Sequence, residues 1–189
     1  MPFYVQDCFD ASFLANLFRR GYDGQDGVFV NHSNKLLIAL FDFDYEGYNA
    51  WNSLVKLGTL TENDPTKSLT KQNSEGNGYA ILLPVPNNLT IKNQVIKNGI
   101  ETYENESLMP IELLFYGVIE LERYFAKEKT KGGGEVVTFV GKKRDFANKL
   151  SQLKTNDFNG LKSLFDKLDE IISTNAQQHL AKSGADVQI

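Results

Sequence analysis

The chain has 189 residues, 41% of them hydrophobic, a formal net charge of −4 and a single cysteine, Cys8. That length suffices for one α/β domain with a sizeable core, or for such a domain with a helical extension. The acidic balance excludes a global basic footprint, so any nucleic acid must be met by a local basic patch or a metal; one cysteine excludes an internal disulfide and fits a reduced, cytoplasmic setting.

Residues 3–6 read as a short first strand, and the opening segment lacks the basic and apolar regions of a signal peptide. Cys8 reads as a small buried hydrophobe. Asp10 is placed to cap a helix whose apolar stripe is Phe13, Leu14, Leu17 and Phe18, closed by Arg19, Arg20 and a C′ glycine, Gly21. A loop at 22–26 leads to a second strand at 28–30. The apolar run at 36–41 reads as a buried strand of a parallel sheet. A helix follows from about 46 to 57, with Tyr48, Trp51, Leu54 and Val55 at helical spacing and Gly58 as its stop.

The polar stretch at 59–78 reads as a mobile loop. Residues 79–86 form another buried strand, ended by proline. Strand character is weak at Val95 and Ile96. Residues 107–124 carry a helical pattern with Glu112 inside its apolar segment, and Pro110 falls in its first turn. A basic, glycine-rich loop at 127–135, a strand at 136–140 and a basic turn at 141–144 precede helices at about 145–153 and 157–173. The tail from Asn175 reads as frayed. The expected division is an α/β domain over 1–125 and a C-terminal strand and helical extension over 126–189.

The chemistry concentrates at Asp42-Phe43-Asp44-Tyr45-Glu46-Gly47. In open α/β sheets ligands bind beyond the carboxyl ends of the strands, where these acids fall. Side chains at i and i+2 of extended backbone point the same way, so both carboxylates face one small volume. Two like charges held together repel unless a cation joins them, and carboxylate oxygens suit Mg²⁺ or Mn²⁺. The plainer alternative is that each Asp caps a helix. Lys129, Lys131, Lys142, Lys143 and Arg144 form a basic run, either a solvated face or a set of phosphate contacts. Tyr45, Tyr48 and Trp51 are spaced for core packing rather than for stacking bases. The glycines do not spell a phosphate-binding P-loop, no nucleophile elbow supports a Ser-His-Asp hydrolase, and His32 and His179 have no evident partners.

An early strand ending at Gln6, an Asp10-capped helix and then strand–Asp-x-Asp-x-x-Gly–helix resemble the Toprim domain of topoisomerases, primases and overcoming-lysogenization-defect (OLD) nucleases. The tail from Gly141-Lys142-Lys143-Arg144 and a Ser-x-x-x-x-Glu match at Ser107 to Glu112 look most like the OLD branch. The resemblance implies a Rossmann-like, mostly parallel sheet flanked by helices, an acidic cluster holding Mg²⁺ (or Mn²⁺), and metal-dependent DNA nicking or cleavage in phage defence. By position it implies Asp42 and Asp44 as metal ligands, Asp10 as the opening-motif acid and Glu112 as a further ligand or supporting acid. No ATPase motif is present, so an ATPase partner would be another chain or a further part of this one.

The chain departs from the family at its opening motif. The family's Glu falls on Gln6 and the following Gly on Asp7, and a glutamine amide cannot act as a carboxylate ligand or base. Three readings stand: Asp7 takes over the role, Gln6 is an inactivating Glu→Gln change, or the chain is a degenerate Toprim scaffold that binds a partner protein without cutting. A phosphate-binding, receiver-like α/β domain is a further alternative, since acids at strand ends occur there too.

Overall fold

The computed structural model describes residues 10–22, 27–59, 64–96, 109–129 and 133–185. The strand expected at 3–6, with Gln6, Asp7 and Cys8, lies outside them, as do Ser107 and Lys131. The described residues form an α/β structure. A four-stranded sheet has the order β1-β4-β3-β2, where β1 is Leu37–Phe41, β2 Gly58–Thr59, β3 Thr70–Gln72 and β4 Gly78–Leu82. Only β1 and β4 pair in parallel; the β2–β3 and β3–β4 pairs are antiparallel. The sheet is therefore mixed rather than mostly parallel, and β1 is an edge strand among the described residues.

Strand alternation divides β4 between two cores. Ala80 and Leu82 join the main core, while Tyr79 and Ile81 pack with Ile171 on the opposite face. Helices α1 (Ala11–Arg19) and α3 (Tyr45–Asn52) contribute Ala15, Phe18, Ala50 and Trp51 to the main core. The opposite face is covered by α6 (Lys162–Ala185). The apolar stripe of α1 is only half used: Phe18 is buried, but Phe13 and Leu17 are exposed.

Several sequence expectations are corrected. Residues 28–30 are not a strand but part of a short helix, α2 (Val28–Asn31), whose Phe29 ring packs edge-on against Phe18. Gly21 does not end α1 in a left-handed turn; it admits the Phe29 ring, which a Cβ at this position would strike. Helix α3 stops at Asn52, well before Gly58, because buried Lys71 caps its end. The Lys71 ammonium donates to the carbonyls of Asn52 (3.0 Å) and Leu54 (3.4 Å) and lies 4.5 Å from the centre of the Trp51 ring. A cation at a helix C-terminus and over an indole face is favourable.

Of the stretch at 59–78 expected as a mobile loop, the described residues 64–78 contain β3 and the turn into β4. Asn73 and Asn77 are buried there because they satisfy each other: Asn73 Nδ2 donates to Asn77 Oδ1, Asn73 Oδ1 accepts from the N–H groups of Asn77 and Gly78, and Asn77 Nδ2 donates to the Phe29 carbonyl. Val95 belongs to a helix, α4 (Leu89–Val95), capped by Asn88. The pattern at 107–124 is broken into two 3₁₀ segments, Ile111–Phe115 and Ile119–Tyr124, because Gly117 takes φ +99° between them. The basic loop expected at 127–135 has its two ends in paired antiparallel strands, β5 (Phe125–Lys129) and β6 (Glu135–Phe139). Gln94 holds it to α4 by donating to the Val137 carbonyl and accepting from the Val137 N–H.

The turn at 141–144 becomes the start of α5 (Lys143–Leu150). Past Asn175 the chain stays helical to Ala185. Asn175 is 4% exposed and donates to the Gly76 carbonyl (2.9 Å), which ties α6 to the β3–β4 turn. No helix among the described residues is long and apolar enough to cross a membrane.

Ser68 is the one non-glycine residue with positive φ (66°) among the described residues, and its buried Oγ has no hydrogen-bond partner. Glycine adopts that backbone without strain and carries no hydroxyl to desolvate. Ser68→Gly is expected to stabilise the fold by about 1 kcal/mol, read as a raised urea midpoint; a lowered midpoint contradicts this account of Ser68.

Candidate metal centre

Beyond the end of β1 the chain keeps its alternation for three more residues. Phe43 is 0% exposed, stacks on Tyr48 (ring centres 6.0 Å apart) and donates its N–H to the Met109 carbonyl. Asp42 and Asp44, on either side of it, both line an open pocket of about 380 Å³. Asp44 also caps α3: its Oδ1 accepts from the Gly47 N–H at 2.8 Å. The capping and the site-facing readings of Asp44 therefore hold together, since a carboxylate has two oxygens. Gly47 lets α3 close on the strand end, where a Cβ would collide with the Asp42 carbonyl.

Three helices bring their first residues to this pocket. Asp10 and Ala11 come from α1, with Asp10 Oδ1 accepting from the Phe13 N–H. Asp44, Glu46 and Gly47 come from α3, and Lys143 from α5. The helix N-termini carry partial positive charge, which offsets part of the repulsion among the acids. Glu46 is a lining carboxylate that the sequence reading passed over; its only signal was its place two residues past Asp44.

Glu112 approaches from the 3₁₀ segment after Pro110. It is 5% exposed. Its Oε1 pairs with the Lys143 ammonium at 3.4 Å, and its Oε2 is buried with no hydrogen-bond partner. An unpaired buried carboxylate oxygen is costly. Asp42 registers the crowding. Burial first, then the charges of Asp44 and Glu112, push its carboxyl up from 3.8 to about 6; the nearby Lys143 and a hydrogen bond from the Ile111 N–H act the other way.

The structure thus brings together Asp42, Asp44, Glu112 and Lys143. Lys142 and Arg144 are exposed at the start of α5, and Lys129 is exposed at the end of β5, outside the pocket lining. Tyr48 and Trp51 are core residues: Trp51 Nε1 donates to the Ala80 carbonyl, while Tyr45 is exposed. Among the described residues no group of three or more His, Cys, Asp or Glu stands in a ready metal-binding arrangement. The donor chemistry nonetheless fits a hard divalent cation: the candidate ligands are carboxylate oxygens, one of them buried and unpartnered. No protein-family model, curated protein or solved structure matches the chain.

The raised pKa of Asp42 fixes the sign of a stability effect. Between its unfolded value near 3.8 and its folded value near 6, the folded chain holds a proton that the unfolded chain releases, so stability falls as pH rises through that window. In the absence of divalent metal, Asp42→Asn is expected to stabilise the fold at pH 7.5 by on the order of 2–3 kcal/mol, an advantage that shrinks as the pH falls from 6 toward 4. Chemical denaturation in EDTA at both ends of the window reads it; an advantage independent of pH contradicts the charge crowding.

Proposed function

We propose that the chain is a Toprim-like, Mg²⁺- or Mn²⁺-dependent phosphodiesterase module that nicks or cleaves DNA. The observation that carries this reading is that Asp42 and Asp44 line one pocket at the end of β1 together with Lys143, whose ammonium pairs with the buried, half-unpartnered Glu112. Asp42 and Asp44 would hold the cation, with Glu112 as a further ligand or supporting acid. A bound divalent cation supplies a Lewis-acidic centre and charge neutralisation for a phosphodiester. The residues of the chain do the rest. Phe43 and Gly47 fix the direction of the two aspartates. Lys143 and its exposed neighbours Lys142 and Arg144 offer cations to phosphate oxygens beside the acids, and Lys129 at the end of β5 adds to the basic set, to which Lys131 belongs by sequence. The helices on both faces of the sheet, and the parallel β1–β4 pair that leads to the acids, are compatible with a Rossmann-like core.

Gln6 favours a second reading, a Toprim scaffold that has lost its opening Glu and serves as a protein-interaction or regulatory module. A carboxylate absent at that position removes a base or ligand that the remaining acids do not replace by charge alone.

Cleavage of supercoiled plasmid in Mn²⁺ separates the two. We expect Gln6→Glu to cut at least about 100-fold faster than the chain as written, in line with the contribution of one general base, and the combined Asp42→Asn, Asp44→Asn change in that background to abolish cutting. If no form cuts, the nuclease reading is wrong and the interaction module takes its place.

A further inference from the structure

We propose that Lys143 is the resident counter-ion of the carboxylate cluster, an ammonium that a divalent cation displaces from Glu112 when it binds. The inference rests on the metal-site reading above and adds to it a residue that sets the affinity of that site.

The geometry is that of a placeholder. Glu112 is almost wholly buried, yet the charge facing it belongs to a side chain that is 77% exposed, and the pair is long, at 3.4 Å. A flexible lysine stem reaching in from solvent gives a weak, reversible contact. It also leaves the second carboxylate oxygen without a partner, which a well-built structural ion pair would satisfy. Lys143 lines the same pocket as Asp42 and Asp44 and pairs with Glu112, so its charge faces all three acids.

Its place in the helix points the same way. Lys143 is the first residue of α5, preceded by Lys142 and followed by Arg144. Cations at a helix N-terminus oppose the dipole, so helix stability does not account for the charge there. The neighbouring carboxylates do. A cation stands where the backbone N–H groups offset only part of the charge of the acids, held loosely enough to leave.

A double-mutant cycle on Mn²⁺ affinity, read by electron paramagnetic resonance on the full chain without nucleic acid, tests this. Lys143→Met is expected to tighten Mn²⁺ binding about fivefold, the scale of a partly exposed ion pair. In a Glu112→Gln background the same change is expected to bring almost no gain, because the contact to be displaced is already gone. A gain of equal size in both backgrounds means that Lys143 acts only through its long-range field and overturns the proposal. Mn²⁺ bound with no gain from Lys143→Met also overturns it, while leaving the metal site standing. No Mn²⁺ bound by any form overturns the proposal and the metal-site reading together.

Discussion

Phe43 is buried on every side, its ring stacked on Tyr48 and its N–H held by Met109, and that anchorage leaves its two neighbours facing the pocket. Extended backbone alternates its side chains, so fixing the middle residue inward fixes Asp42 and Asp44 outward. The Gly47 contact then brings α3 down onto the Asp42 carbonyl and sets the cap on Asp44. A shift of one residue in this segment would turn two carboxylates into the core and a phenylalanine into solvent, which no packing of this chain would tolerate.

The same anchorage concentrates negative charge at an energetic cost. Asp42 holds its proton to about pH 6 because it is partly buried beside Asp44 and Glu112. Proteins tolerate such local conflicts chiefly where a site needs them. Two lysines show the contrast. Lys71 is buried and committed, capping α3 and covering Trp51; its removal would expose carbonyls inside the core. Lys143 reaches its acid from solvent across a long contact. One cation completes the fold, and the other faces a crowded set of acids.

The site was legible where its logic is local. The period of two across residues 42–44 and the glycine three positions on are short-range signals, and they survive in the structure. Glu112 was legible as a charge misplaced in an apolar segment and through the Ser-x-x-x-x-Glu resemblance; its place near the end of β1 depends on the long-range bond from the Phe43 N–H to the Met109 carbonyl. The fold was less legible wherever a distant residue decided the outcome. Helix α3 ends early because Lys71, nineteen residues on, takes the Asn52 carbonyl. The polar stretch at 59–78 looked solvated, but Asn73 and Asn77 satisfy each other and bury themselves. The pattern at 107–124 kept helical spacing while Gly117 broke the helix in two, and the tail read as frayed was held by Asn175 on Gly76. Buried amides and a buried lysine carry little hydrophobic signal, so periodicity passed over them.

The central claim is that the acids at the end of β1 form one divalent-cation site. Anomalous diffraction from crystals soaked in Mn²⁺ tests it most directly. The account predicts a manganese peak within coordinating distance of the Asp42 and Asp44 carboxylates, with the Lys143 ammonium moved off Glu112. Well-ordered, unoccupied carboxylates at saturating Mn²⁺, or a peak elsewhere on the surface, would contradict it.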